Sequence, residues 1–227
     1  ARLQPRPGAL AQRWVEWFEQ VLAAAGAIGL HRWVTLHDGA VPRWFDDDGG
    51  FGDGDNFTRW WPRWVGLVAD RLGDHADGWV PFAEVPPAAT RPWLDTFDTL
   101  RGDAPVVLSI DPSVIDPVSS AGEPYDGFGV TASITDGPDR VGQVLRAAAE
   151  AADTPVLLSS LHAPKGISVD EAVDAIETTV AAIEGAIHDG IDVLAAFVDP
   201  AIADPDSTAL LLDADRRRSP AGAAFVT

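Results

Sequence analysis

The sequence predicts an α/β fold, because six short apolar segments alternate with longer segments of helical periodicity. The short segments are near-continuous apolar runs, such as residues 106–108 and 156–158. Strands buried on both faces of a parallel sheet have this composition, whereas strands with one solvated face alternate apolar and polar residues. Helical segments between parallel strands indicate either an open doubly wound sheet or a (β/α) barrel, and the alternation alone fits both.

The predicted elements follow the apolar patterns in order along the chain. Strands are predicted at residues 31–37, 78–82, 105–110, 127–133, 155–159 and 192–198. Helices are predicted where apolar residues recur every three to four positions, at residues 10–25, 57–72, 93–100, 139–152 and 168–188. The last helix has the clearest start, because Ser168 and Glu171 have the spacing of a capping box. Residues 111–126 are rich in Pro, Ser and Gly and are predicted to form a loop.

The composition excludes several classes of function. The chain has 227 residues, no cysteine and a formal net charge of −19. Without cysteine there are no disulfides, no thiolate nucleophile and no Cys-ligated zinc. The negative charge disfavours nucleic acids and anionic membranes as partners. No glycine-rich dinucleotide or phosphate-binding motif follows a predicted strand, so no cofactor is expected.

The sequence contains no apolar run near the roughly 18 residues that span a bilayer. The longest run, residues 21–30, is interrupted by Gly26 and Gly29, and acidic residues precede it where a signal peptide has basic ones. We therefore expect a cytoplasmic protein. The chain has no methionine, even at position 1, which predicts a processed amino terminus or a piece of a longer protein.

Several polar residues follow predicted strands, where α/β folds place their functional sites. Glu84 has apolar neighbours, which would raise the pKa of its carboxyl and suit a general acid; a solvated loop carboxylate is the alternative. His37 and Asp38 could bind sugar hydroxyls, a metal or a proton, or could cap the next turn. Trp44 is the best candidate for an exposed aromatic platform, because indole faces stack on sugar rings.

Two further patterns are interpreted as having no catalytic or metal-binding role. The acidic run 46–55 lacks the glycine and glutamate positions of an EF-hand loop, so a solvated turn is favoured and no metal is expected. Ser160, His162 and Asp199 follow the fifth and sixth strand cores and have the residue types of a hydrolase triad. A triad is disfavoured, because Ser160 is not in a Gly-x-Ser-x-Gly turn.

The order of motifs along the chain resembles that of the family 1 glycoside hydrolases, the β-glucosidase family. Residues 36–44, LHDGAVPRW, are similar to the family's Leu-[His/Tyr]-His-[Phe/Trp]-Asp-Leu-Pro segment. Residues 79–85, WVPFAEV, are similar to its Trp-x-Thr-[Leu/Phe]-Asn-Glu-Pro segment. Later segments of the family are resembled, in the same order, by residues 126–131, 186–197 and 211–220. The resemblance implies a (β/α)8 barrel and retaining hydrolysis of β-glycosides, with Glu84 at the acid/base position.

The resemblance also implies differences at the site. Ser160 lies where the family has its nucleophilic glutamate, and Ala83 replaces the asparagine that precedes the acid/base. Asp38 stands at the position of a sugar-binding histidine, Thr131 at that of an asparagine on the sixth barrel strand, and Asp199 at that of a tryptophan after the last strand. A serine hydroxyl is not ionised near neutral pH, so the retaining mechanism lacks its nucleophile here.

The resemblance also places the start of the chain within the barrel. Residues 1–8 resemble the family's stretch after barrel strand two, so the six predicted strands correspond to strands three to eight. We therefore expect one domain over residues 1–227, an incomplete (β/α) barrel of the TIM type with about six of eight strands and without the first two.

Two functions are consistent with these features. In the first, the chain hydrolyses O-glycosidic bonds with Glu84 as general acid/base, and Asp38, Asp111 or Asp199 replaces the nucleophile or activates a water. In the second, it is a catalytically inactive pseudo-glycosidase that binds a sugar or a protein partner. A small-molecule glycoside or sugar is the expected ligand; the sequence does not indicate an oligomeric state. The candidate substrate-binding residues are His37, Asp38, Trp44, Thr131 and Asp199.

Overall fold

A computed structural model of the protein describes residues 3–83, 100, 104–110, 126–151, 154–162, 164 and 167–199. The chain divides into two compact units. The first comprises Ala1–Ser109 and Glu123–Asp126, and the second comprises Ile110–Gly122 and Gly127–Thr227. Within the described residues, no helix is both long and apolar enough to cross a membrane.

The first unit contains three helices and the parallel strands that precede the candidate site. The helices are α1 (Gln12–Ala27), α2 (Arg43–Asp47) and α3 (Gly54–Leu72), and the strands are β1 (Trp33–Thr35), β2 (Gly78–Val80) and the start of β3 (Val107–Ile110). α1 ends where Gly29 adopts a φ of 81° and the Leu30 N–H donates to the Ala25 carbonyl at 3.1 Å. α3 begins where the Asp53 carboxylate accepts from the Asn56 N–H at 3.0 Å.

β1 and β2 pair in parallel over a short register. Trp33 lies opposite Gly78 and Thr35 opposite Val80, and Val106 continues the pairing with a parallel bridge to Trp79. A glycine is required at position 78, because a Cβ there would lie 2.5 Å from the Trp33 ring. The core beside these strands is aromatic and comprises Phe57, Trp61 and Phe82, all buried.

An ion pair connects the starts of these two strands. The Arg32 guanidinium donates two hydrogen bonds to the Asp77 carboxylate, each at 2.7 Å, and the Arg32 backbone N–H donates a third at 2.8 Å. These hydrogen bonds lower the pKa of Asp77 to about 2. Because the ion pair joins residues that directly precede β1 and β2, it stabilises the register of the two strands.

Substitution of Asp77 by Asn is expected to reduce the pH dependence of stability in acid. The folded-state pKa of Asp77 is below its ordinary value of 3.8, so the unfolded state binds more protons between that value and about 2. The contribution of Asp77 is therefore complete above pH 3.8 and is lost as the pH falls towards 2. Urea unfolding at pH 7 and pH 3 should show a smaller difference for Asp77→Asn than for the wild type. Asp47→Asn, which removes an exposed pair with Arg43, should behave like the wild type.

The second unit is built from three parallel strands and two helices. The strands β4 (Gly127–Ser133), β5 (Val156–His162) and β6 (Val193–Asp199) pair in that order. The helices α4 (Pro138–Ala151) and α5 (Val169–His188) connect them. Ser168 and Glu171 form the predicted capping box at the start of α5, with the Ser168 hydroxyl accepting from the Glu171 N–H at 3.3 Å.

Most predicted elements are confirmed, and the differences lie at their ends. β4 has the predicted bounds, whereas β1 and β2 are shorter than predicted. Beyond Thr35 and Val80 the two segments are joined by isolated hydrogen bonds. The Leu36 N–H donates to the Val80 carbonyl, and the Ala83 N–H donates to the His37 carbonyl. β5 extends beyond the predicted end at residue 159, as described below. Of the helix predicted at 93–100, only Leu100 is among the described residues, and of the loop at 111–126, only Asp126.

Candidate functional site

The first unit contains a cavity of about 740 Å³ at the carboxyl end of β1. Its walls come from α1, β1, α2 and α3 and are mainly aromatic and aliphatic. Three of the predicted site residues, His37, Asp38 and Trp44, line it. Cavities of this size accommodate a small-molecule ligand. The structure therefore brings these three predicted residues to one cavity, and their role in a site stays a prediction.

His37 is held by aromatic rings. Its imidazole packs edge-on against Phe51, with ring centroids 4.8 Å apart, and against Phe82 at 5.7 Å. Burial lowers the pKa of His37, and the nearby Asp38 carboxylate opposes this effect only in part. The imidazole is therefore neutral near pH 7, where it can donate one hydrogen bond and accept another.

Asp38 lies at the exposed rim of the cavity. Its carboxylate accepts a hydrogen bond from the Ala40 N–H at 3.2 Å, which orients the side chain in a local turn. Among the described residues that line the cavity, it is the only carboxylate. Asp38 is therefore the described group at this site that could act as a base or bind sugar hydroxyls.

Trp44 is less accessible than the sequence predicted. It lies in α2, is half-buried, and packs edge-on against Trp60 at 5.2 Å and Phe45 at 5.8 Å. Its indole N–H donates to the Gln4 carbonyl at 3.0 Å. Trp44, the best candidate for an exposed platform in the sequence, is half-buried because tertiary packing uses both the ring edge and the N–H. Trp44 remains a wall of the cavity.

Glu84 and Asp111 lie outside the described residues, but the backbone that leads to Glu84 is described. The Ala83 N–H donates to the His37 carbonyl at 2.9 Å, and the Ala83 carbonyl accepts from the Ser109 hydroxyl at 2.5 Å. Both ends of the Ala83 backbone are thus fixed. Ala83, the last described residue before Glu84, therefore lies beside His37.

The remaining predicted residues lie in the second unit. Thr131 and Ser160 are register partners on β4 and β5, and both are half-buried. The register shifts just before this pair, and the Ser159 hydroxyl donates to the Val130 carbonyl at 3.2 Å. Such bulges re-aim side chains and occur next to functional sites. The bulge also explains why β5 continues beyond residue 159. The strand accommodates Ser159 and Ser160 and then pairs again with β4 as far as His162.

His162 and Asp199 are register partners at the ends of β5 and β6. His162 is exposed, and only the backbone of Asp199 is described. The structure therefore brings the backbones of Ser160, His162 and Asp199 to the ends of neighbouring strands. No hydrogen bond among their described side-chain atoms forms a triad.

The acidic run 46–55 has local structural roles. Asp46 and Asp47 lie in the short helix α2, which the sequence did not predict, and Asp53 caps α3. The described residues contain no group of three or more His, Asp or Glu side chains that could hold a metal.

Two residues of the cavity, Phe51 and Gln4, were not predicted from the sequence. Phe51, which packs against His37, follows a run of acidic and glycine residues that predicts a solvated turn. Gln4 lines the cavity and is 6% exposed, although it lies between an arginine-containing segment and a proline near the start of the chain. Neither position has a periodic pattern that would have predicted burial.

Comparison with known proteins reveals similarity only in structure. No family model matches the sequence, and no curated protein matches it. The apo structure of a β-glucosidase, 1317, has a TM-score of 0.80 and 18% identity, with 99% of this chain and 80% of that chain covered. The family 1 β-glucosidase from Exiguobacterium antarcticum B7 has a TM-score of 0.78 and 12% identity, with 99% and 80% covered. The β-glucosidase from Thermotoga maritima, solved with deoxynojirimycin, has a TM-score of 0.76 and 12% identity, again with 99% and 80% covered.

These likenesses extend over almost the whole chain and establish its fold class. The chain has an incomplete (β/α) barrel fold of the glycoside hydrolase type. Its fold is similar to that of the family 1 β-glucosidases, as the order of sequence motifs predicted. At identities of 12–18% the likeness concerns the fold and not the chemistry.

Proposed function

We propose that the chain is a β-glycosidase-like protein that binds a glycoside at the carboxyl end of β1 and cleaves its O-glycosidic bond with Glu84 as proton donor. The observation that supports this most directly is the hydrogen bond between the Ala83 N–H and the His37 carbonyl. It holds Ala83, the residue that precedes Glu84 in the sequence, beside the cavity residue His37, which supports the proposal. The Thermotoga maritima relative binds deoxynojirimycin, which supports a sugar-like ligand for this fold.

The proposed chemistry is a single displacement. Glu84 donates its proton to the glycosidic oxygen as the bond from that oxygen to the anomeric carbon breaks. A water attacks the anomeric carbon from the opposite face and transfers a proton to a carboxylate, for which we propose Asp38. The products are the free sugar, with inverted configuration, and the alcohol. Inversion requires two carboxyl groups about 6.5–9.5 Å apart, which leaves room for the water.

We propose inversion at the anomeric carbon because Ser160 is a poor nucleophile. The resemblance places it at the position of the family's nucleophile, and its hydroxyl is not ionised near neutral pH. Among the described residues of β4 and β5, the neighbours of Ser160 are Thr131 and Ser159, and neither is a carboxylate. A covalent glycosyl-enzyme intermediate on Ser160 would therefore lack an activated nucleophile.

Substitution of Glu84 by Gln is expected to reduce the release of nitrophenol from aryl β-glycosides at least about 100-fold, because Gln cannot donate a proton. Asp38→Asn should reduce turnover similarly, and the wild-type product should show inverted configuration by proton NMR. Glu150→Gln, a matched change at an exposed position on α4, should leave turnover unchanged. Equal turnover in the wild type and Glu84→Gln would refute the assignment of Glu84.

A second candidate function is supported by the same serine. If the folded wild type releases no nitrophenol across the panel, hydrolysis is refuted and the pseudo-glycosidase remains. Saturable quenching of tryptophan fluorescence by a monosaccharide would then identify a sugar-binding protein, because Trp44, Trp60 and Trp64 all line the cavity. Location in the cytoplasm remains a prediction from the sequence.

A further inference from the structure

We propose that an exposed apolar stripe on α1 is a self-association surface, on which α1 of a second copy of this chain packs in antiparallel orientation. The stripe comprises Trp17, Val21 and Ala24 on the helix and Ile28, which directly follows it, and all four are exposed. This inference goes beyond the proposed hydrolysis and does not rest on it. It rests on the exposure of the stripe, on its spacing and on the distribution of charge along the helix.

α1 has two apolar faces, and the fold buries one of them. The buried face carries Val15, and Glu19 on the same side pairs with Arg71 of α3 at 2.8 Å. On the other face Trp17 is 49% exposed and Ile28 is 75% exposed. Large apolar side chains that are exposed singly are ordinary, whereas a continuous row of them marks an interaction surface.

The spacing of the stripe is that of a helix–helix interface. Its members follow one another at intervals of four, three and four residues, as the inward-facing a and d positions of a coiled coil do. A second helix with the same spacing fits such a seam along its whole length. The Trp17 ring is held by edge-on contacts with Trp14 at 6.1 Å and Phe18 at 4.9 Å, so covering it costs little side-chain entropy.

The stripe is complementary to itself when two copies run antiparallel. With the two-fold axis between positions 21 and 24, Val21 of each copy faces Ala24 of the other, and Trp17 faces Ile28. The small side chains at the axis let the helices approach closely, and the large ones fill the wider space on either side. A parallel pair would place Trp17 against Trp17 and Ala24 against Ala24, which overfills one layer and leaves another empty.

The charges along α1 also favour a second copy. Residues 12–19 include Arg13, Glu16 and Glu19, whereas residues 20–30 include no charged residue. Antiparallel pairing places the charged half of each helix beside the uncharged half of the other, so like charges do not meet. The net charge of −19 opposes contact between acidic surfaces of two copies, and this uncharged segment avoids that repulsion.

Sedimentation equilibrium of the whole chain tests the proposal. We expect a reversible dimer at roughly 10–100 μM protein, because the face of one short helix is a small interface. Dimerisation should strengthen as added salt screens the negative charge of the two copies. Val21→Glu should weaken dimerisation at least about tenfold, because it places a carboxylate in the apolar seam. Ala23→Glu is the matched control: it adds the same charge at an exposed position of α1 outside the stripe and should leave dimerisation unchanged.

Cysteine cross-linking tests the orientation, because the chain has no cysteine of its own. An oxidised mixture of Val21→Cys and Ala24→Cys should form the mixed disulfide, whereas each variant alone should cross-link much more slowly. All these substitutions are at exposed positions, and circular dichroism melting checks that the variants fold.

Four results would each overturn the proposal. The first is a wild type that stays monomeric over this concentration range. The second is equal weakening of the dimer by Val21→Glu and Ala23→Glu, and the third is a cysteine variant that cross-links with itself as fast as with the other. The fourth is a dimer that dissociates as salt is added, because opposite charges and not apolar side chains would then hold the copies together.

Discussion

Replacement of Phe82 by Ala is expected to reduce the free energy of unfolding of the first unit by about 3–5 kcal/mol. The Phe82 ring is fully buried and stacks on Trp61 with centroids 4.3 Å apart. It also contacts Phe51 at 5.8 Å and the His37 ring at 5.7 Å. Removing it would leave a void among rigid rings, which cannot collapse to fill the space. A loss of this size is a large fraction of the stability of an ordinary domain.

Urea unfolding monitored by tryptophan fluorescence measures this effect, because all nine tryptophans precede residue 94. Phe82→Leu keeps most of the volume and should cost less than about 1.5 kcal/mol. Trp17→Ala removes a half-exposed ring and should also cost much less than Phe82→Ala. If Phe82→Ala unfolds within about 1 kcal/mol of the wild type, the aromatic core does not stabilise the unit as we infer. The site should respond too, since Phe82 supports His37 and precedes Ala83 and Glu84.

Replacement of Leu158 by Ala is expected to destabilise the second unit by about 2–5 kcal/mol. Leu158 is fully buried at the centre of β5, which pairs with β4 on one side and β6 on the other. Val130 and Ala196 are its register partners, so both neighbouring strands would lose contacts. The substitution lies two residues before Ser160 and directly precedes the bulge, and it should therefore also loosen the carboxyl end of β5.

Amide hydrogen exchange of β5 is the suitable measurement, because the second unit has no tryptophan. Leu158→Ala should accelerate exchange in β5 and lower the midpoint of unfolding by circular dichroism. Leu194→Ala is the matched control: it makes the same change in the neighbouring strand β6, where the side chain is 46% exposed. Equal effects of the two substitutions would contradict the buried position of Leu158 in the core.

A fold can persist while the residues at its site differ. The likeness to β-glucosidases extends over 99% of the chain, yet the resemblance places Ser160 and Ala83 at two positions of the family's site. The fold depends on many buried apolar contacts, which tolerate substitution if volume and pattern are kept. Catalysis depends on a few ionisable groups at fixed distances, so a serine in place of a carboxylate would remove a mechanism without disturbing the core.

Local signals in the sequence predicted the elements that depend on nearby residues. The capping box of Ser168 and Glu171 and the start of α5 involve groups three residues apart, and β4 has the predicted bounds. The order of motifs was sufficient to predict the barrel class. The capping box and β4 depend on spacing within a short segment, whereas the barrel class was implied by the resemblance of the whole order of motifs to a known family.

Only the tertiary structure decided which polar groups share a cavity and which lack partners. The Trp44 N–H finds its acceptor in Gln4, 40 residues away, so its partial burial could not be read from its neighbours. The continuation of β5 through Ser159 and Ser160 depends on pairing with Val130 and Thr131, and the pKa of His37 depends on burial beside Phe51 and Phe82. These properties depend on contacts between distant segments, which form only when the chain is folded, because burial and hydrogen bonding are set by whatever lies next to a group in space.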